Sequence, residues 1–257
     1  MRLLRACIIA FSMYSNIPMP HVSWEKEDME YSFCFFPFIG IVIGAVCILW
    51  WNFAKMIGFG AVFAAAVCTA IPVIITGGIH IDGFCDTTDA LASHQERERK
   101  LEILKDSNVG AFAVIWVVIY FLLYFSIWHQ AFSDNISPVV PALIFIMSRG
   151  FSGLAAVTWK NARGSGVLFQ FVSNAAGKIV AAVLVLWILA ASAVMIYIDA
   201  VLGAAAVLAA VAVFGYYFLM SRREFGGITG DLAGWFLVMC EFFSLLAVTV
   251  AGRVAIL

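Results

Sequence analysis

Residues 59–90 read FGAVFAAAVCTAIPVIITGGIHIDGFCDTTDA. The first part, Phe59–Ile79, carries no charge and is about as long as the 20 or so apolar residues that a bilayer-crossing helix needs. It closes on Gly77-Gly78, and the chain then turns acidic, with Asp82, Asp86 and Asp89 following His80. In a helix these aspartates stand at i, i+4 and i+7, on one face. Carboxylates so placed repel one another. A divalent cation held by oxygen ligands and shared with substrate phosphate relieves that repulsion. A solvated acidic helix start, favoured by the helix dipole, is the alternative reading. The stretch therefore predicts a membrane helix that delivers an acidic, magnesium-type phosphate site to the membrane edge.

The rest of the composition agrees with a membrane location. Of 257 residues, 64% are hydrophobic and 12% charged, and the mean hydropathy is +1.01. Soluble domains carry about 25% charged residues. The net charge of −1 offers no basic stripe for nucleic acid. The six cysteines are scattered and none forms a C-x-x-C pair, which argues against a zinc or redox motif. Met1–Arg5 followed by an apolar run resembles a signal peptide but lacks a small-x-small cleavage site. It reads instead as a retained N-terminal helix at the cytoplasmic interface.

Seven stretches are apolar enough to span: Phe33–Ala54, Phe59–Ile79, Val109–Trp128, Val139–Val157, Ile179–Tyr197, Ala200–Met220 and Ala233–Ala251. The fold class expected is an all-α polytopic membrane bundle of about seven transmembrane helices, forming one domain over residues 1–257 without an internal repeat. Lys and Arg set the orientation. Arg2/Arg5, Arg97/Arg99/Lys100/Lys105, Lys160/Arg163/Lys178 and Arg222/Arg223 all fall on one side, with only Lys55 and Arg253 against the trend. This predicts the N-terminus inside, the C-terminus outside and the polar motifs converging on the cytoplasmic face. The first hairpin is the least defined part, because only Gly58 and Gly60 mark its turn.

The remaining motifs each admit two readings. Lys105-Asp106-Ser107, ahead of Gly110, looks like a helix N-cap, and the same geometry receives phosphate. Asp106 would then be a metal ligand. Arg149 lies inside a span, where an unpaired charge costs roughly 2.5–3.5 kcal/mol, so it must face substrate phosphate or Glu241. Arg222 and Arg223 lead into Gly226-Gly227-Ile228-Thr229-Gly230-Asp231, where glycines allow close backbone approach and Thr229 and Asp231 supply oxygen. The Gly164-Ser165-Gly166 turn reads as an ordinary turn or as part of a phosphate pocket. His80 would serve as a general base, or orient a carboxylate or cap a helix.

These motifs together resemble the adenosylcobinamide-GDP ribazoletransferase, or cobalamin synthase, family. The resemblance runs almost the full length. It rests on Asn16-Ile17-Pro18-Met19-Pro20, Phe36–Gly44, Gly77-Gly78-Ile79-His80-Ile81-Asp82-Gly83, Asp86-Thr87-Thr88-Asp89-Ala90, Lys105-Asp106-Ser107 with Gly110-Ala111-Phe112, Ser148-Arg149, and Gly226–Asp231. Ala113 and Asn108 depart from the family's pattern. The resemblance implies that the hydroxyl of alpha-ribazole, or of its 5'-phosphate, attacks the beta-phosphorus of adenosylcobinamide-GDP. GMP leaves, and magnesium is required. It implies a metal set drawn from Asp82, Asp86, Asp89, Asp106 and Asp231, and catalytic work by these aspartates or His80. Phosphate contacts would come from Arg149, Arg222, Arg223, Ser107, Gly227 and Thr229. It also implies a bacterial or archaeal cytoplasmic membrane, with lipid as the surroundings; homo-oligomeric assembly is left open. The rivals are another Asp-motif membrane transferase, of the prenyltransferase or CDP-alcohol phosphotransferase kind, and a transporter. A transporter would hold its charged site at the midplane between repeats, and neither feature is visible here.

Overall fold

A computed structural model describes residues 2–164 and 166–256, and among the described residues its regular elements are all helices. In chain order the helices are α1 (Arg2–Tyr14), α2 (Lys26–Met29), α3 (Phe36–Ile57), α4 (Ala61–Thr76), α5 (Ile79–Ala92), α6 (Arg97–Ile103), α7 (Ala111–Ser133), α8 (Val139–Thr158), α9 (Val167–Ser173), α10 (Gly177–Ile198), α11 (Ala200–Met220) and α12 (Gly230–Ile256). The elements ending in or containing α3, α7, α8, α10, α11 and α12 are long and apolar enough to cross a membrane. In lipid every backbone N–H and C=O must be satisfied within the segment, which is why such apolar runs become helices.

The α4–α5 pair would make a seventh crossing, but it is bent by 93°. Sequence reading extends this span to Ile79; the helix stops at Thr76 instead. Gly77 and Gly78 both take positive φ, which glycine adopts without strain. The two helices thus lie at about a right angle, α4 without a charged residue and α5 with the aspartates. The break is pinned from outside: the Asn16 backbone N–H donates to the Ile75 carbonyl at 2.7 Å, and the Asn16 side chain fills the space where a Gly77 side chain would stand.

α8 is the central helix. Ser148, Gly150, Ser152, Gly153, Ala155 and Ala156 are all buried along it. Such small residues let neighbouring backbones approach closely where the solvent is as apolar as the side chains. Gly40 and Gly44 of α3 lie against the α8 backbone at Phe145 and Ala142 with no room for a Cβ. α7, α10 and α11 leave most of their surface outward, as lipid-facing helices do.

The N-terminal helix is more than an interfacial strip. Ala6, Ile9, Ala10 and Phe11 of α1 are buried against the bundle, and the Tyr14 ring lies 4.5 Å from that of Phe36. Leu3 and Leu4 stay exposed on its other face. The first hairpin is made by Gly58, left-handed at the end of α3, and Gly60 ahead of α4. The last span begins at Gly230 rather than Ala233, which places Asp231 in its first turn.

Candidate active site

The site forms where α5 crosses the start of α12. Gly83 and Gly234 make that crossing tight. A Cβ on Gly83 would stand 2.6 Å from the Asp231 carbonyl oxygen, and one on Gly234 3.2 Å from that of His80. The aspartate face of α5 is thereby held beside Asp231. A cavity of about 210 Å³ opens at the crossing, with Tyr14, Phe36, His80, Asp82, Ser152 and Asp231 in its wall.

The charge balance at this crossing is unfavourable without a cation. Burial pushes the Asp86 carboxyl up to about 7, and the nearby charges of Asp82, Asp231 and Asp89 push in the same direction. Arg163 pulls the other way. Its guanidinium lies 3.4 Å from the Asp231 carboxylate and donates to the Leu101 carbonyl at 3.3 Å. The loop after α8 delivers it: the Asn161 Oδ1 accepts the backbone N–H groups of Arg163 and Gly164, each at 2.9 Å. The sequence brings the turn that carries Arg163 toward the site but assigns Arg163 itself no role there. The local signal was an asparagine two residues before an arginine, a pattern suited to an Asx turn that fixes the arginine's backbone.

His80 is buried, and its Nε2 has no hydrogen-bond partner. Burial, and then the positive charge of Arg149, hold its pKa down to about 3. The imidazole is therefore neutral and a poor proton acceptor, since an effective general base has a pKa near the operating pH. The edge of its ring packs on Phe36, centroid to centroid at 6.1 Å.

The other residues singled out from sequence divide into those near this crossing and those elsewhere. Asp89 is close enough for its charge to be felt by Asp86, yet its carboxylate accepts the backbone N–H groups of Gly110 at 2.6 Å and Ala113 at 2.9 Å. It supplies the N-cap of α7. The Asp106-Ser107 pair does not fill that role: Asp106 accepts from the Asn108 backbone at 3.0 Å and side-chain amide at 2.7 Å, which holds its carboxyl below the usual range. Both Asp106 and Ser107 are exposed on the loop. Arg149 pairs with Glu241 at 2.8 Å and donates to the Phe145 carbonyl at 2.9 Å. It lines none of the cavities described here. Thr229 caps α12, its hydroxyl accepting from the Leu232 N–H at 3.3 Å. Arg223 is exposed and leans on Glu224 at 3.5 Å. Arg222 and Gly227 line a second cavity, of about 380 Å³. Ser165 lies outside the described residues.

Among the described residues no three His, Cys, Asp or Glu side chains are arranged to hold a metal ion by themselves. Mg²⁺ is commonly bound through one or two carboxylates with substrate phosphates completing the shell. Asp82 and Asp86, one helical turn apart and facing Asp231, fit that kind of site, and the raised Asp86 pKa marks the negative charge such a cation would offset.

A helix bundle able to cross a membrane, with a charged, partly enclosed site at one end of its α12 helix, is the architecture of an integral membrane enzyme. The chain belongs to the Cobalamin-5-phosphate synthase family, whose sequence model matches residues 6–249. It is 42% identical over 256 residues to a protein of Lachnoclostridium phytofermentans named adenosylcobinamide-GDP ribazoletransferase, covering 100% of this chain and 97% of that one. A protein of the same name from Clostridium botulinum is 34% identical, covering 95% and 96%. One from Fusobacterium nucleatum is 30% identical, covering 90% and 92%. No solved structure matches the chain.

Proposed function

We propose that this chain transfers the adenosylcobinamide-phosphate moiety of adenosylcobinamide-GDP to alpha-ribazole or its 5'-phosphate. The observation that carries the reading is the convergence of Asp82, Asp86 and Asp231 with Arg163 at the α5–α12 crossing, in a chain whose relatives bear the transferase name.

The acceptor hydroxyl oxygen attacks the beta-phosphorus, a new P–O bond forms, and the bond to the bridging oxygen of GMP breaks. Such transfers depend mainly on positioning and on neutralising charge. Asp82 and Asp86, facing Asp231, would hold magnesium together with the substrate phosphates, and the ion would supply neutralisation of charge on the phosphate oxygens. Arg163 adds a fixed guanidinium beside Asp231, suited to a phosphate oxygen. The hydroxyl proton goes to a cluster carboxylate, because burial and Arg149 make His80 a weak base. His80 positions the start of α5 against Phe36 and α12. The distribution of Lys and Arg supports a cytoplasmic site in the cytoplasmic membrane, with the N-terminus inside and the C-terminus outside.

The test is direct. Detergent-purified protein with adenosylcobinamide-GDP, alpha-ribazole and Mg²⁺ should release GMP, and Asp82→Asn and Asp86→Asn should stop release while leaving the helical circular dichroism unchanged. No GMP from the wild-type chain under conditions where the Lachnoclostridium relative turns over would overturn the reading.

A further inference from the structure

The cavity beside Arg222 has a different chemistry from the aspartate crossing. Arg97, Lys160 and Arg222 stand in its wall with Trp159, Phe218 and the Gly226-Gly227 turn, and no carboxylate lines it. None of the ion pairs among the described residues includes Arg97, Lys160 or Arg222. Glu224, two residues from Arg222 in the chain, is already paired with Lys100 at 2.5 Å and faces Arg223. Three cations thus share one small cavity with no counter-charge. The Arg222 guanidinium lies over the Phe218 ring at 5.0 Å, and the Trp159 and Phe218 rings meet edge to face at 5.0 Å. The cavity volume of about 380 Å³ suits a small organic ligand rather than a lone ion.

The cavity is also built into the reaction centre. Residues 160–162 and 228 pair side by side: the Ile228 N–H donates to the Lys160 carbonyl and the Ala162 N–H to the Ile228 carbonyl, each at 2.9 Å. Lys160 and Gly227 stand at the cavity end of these two segments, and Arg163 and Asp231 at the aspartate end. A span of three extended residues covers at most about 11 Å, so one ligand can reach both.

We propose that this cavity is the nucleotide subsite, taking a nucleoside 5'-phosphate with its phosphate on Arg97, Lys160 and Arg222 and its base against Trp159 and Phe218. The proposal rests on the transferase reading, in which two reactants carry that chemistry: the guanylate half of the donor and the 5'-phosphorylated acceptor.

Binding of GMP and of alpha-ribazole 5'-phosphate to detergent-purified wild type, Lys160→Ala and Arg97→Ala is measured by calorimetry, with exposed Lys178→Ala as control. Each test variant should weaken one of the two ligands roughly tenfold, the loss expected for one charge-assisted phosphate contact, and the control should weaken neither. Weaker GMP with a matching rise in donor KM assigns the guanylate. Weaker alpha-ribazole 5'-phosphate, with the KM for unphosphorylated alpha-ribazole unchanged, assigns the acceptor. Unchanged affinity for both ligands in both variants overturns the subsite. Binding is read without turnover, so a failure of the subsite is separable from a failure of the transferase reading.

Discussion

The Asp89 carboxylate caps α7 from another helix, its two oxygens accepting the Gly110 and Ala113 N–H groups at 2.6 and 2.9 Å. Gly110 has to be glycine for this: a Cβ there would stand 2.6 Å from Asp89 Oδ1. The contact ties the acidic helix to a lipid-facing one. It also makes Asp89 a different kind of residue from Asp82 and Asp86, despite the shared helical face.

Replacing Asp89 should therefore cost stability first. Asp89→Ala removes a cap worth about 1 kcal/mol, lowering the melting temperature by roughly 2–4 °C for a chain of this size. Asp89→Asn, which retains one acceptor oxygen, should lose less and keep more activity than Asp82→Asn. Thermal unfolding in detergent, read beside GMP release, checks both. Equal stability but abolished activity in Asp89→Asn would place it among the chemical carboxylates instead.

The Arg149–Glu241 pair is buried on both sides, with relative side-chain exposures of 1% and 8%. Removing either partner leaves an unpaired charge inside the bundle, at a cost of about 3–5 kcal/mol. Arg149→Ala and Glu241→Ala should each give little monodisperse protein. The double variant Arg149→Met with Glu241→Leu should recover yield, because the pair's own desolvation cost goes with it. Size-exclusion profiles of the three proteins decide this. Soluble, active Arg149→Ala would show that the pair is dispensable to folding.

Asp86 sets a pH dependence whose sign can be worked out. Its folded pKa, about 7, lies above the 3.8 of a free aspartate. The native state therefore binds the extra proton between those values, and this residue's contribution to stability falls as pH rises through that window. Cation binding needs the carboxylate and releases that proton. Activity should climb as pH rises through about 7 at limiting Mg²⁺, and the climb should move to lower pH as Mg²⁺ is raised. A profile indifferent to Mg²⁺ concentration would argue against Asp86 as a ligand.

Gly83→Ala tests the crossing itself. The added methyl meets the Asp231 backbone carbonyl at 2.6 Å, so α5 and α12 must separate. Overpacking of this kind costs about 1–3 kcal/mol, and it should lower turnover by far more than the melting temperature suggests, since Asp82 and Asp86 move away from Asp231. A variant with wild-type turnover would mean that the distance between these carboxylates does not matter.

The apolar helices, the acidic face of α5 and the family motifs were legible along the chain because each is a local property. A run of apolar residues in lipid has to close its own backbone hydrogen bonds, and helical periodicity alone places residues at i and i+4 together. The glycine pair at the α4–α5 break was visible too, although not that it turns the helix by 93°. What each charged residue does was not legible. Asp89 and Asp86 share a helical face, yet one caps a helix through residues beyond Asn108 while the other sits among like charges. For Arg149 the sequence left substrate phosphate and Glu241 both open as partners, and the structure puts Glu241 of the last helix beside it. Arg163 entered the site only through a turn on another loop. Residue types and their spacing by themselves determined a helical membrane chain with an acidic centre. Only the tertiary structure decided which carboxylates remain free for chemistry, because a charge is set by its nearest partners, and here those partners lie far away along the sequence.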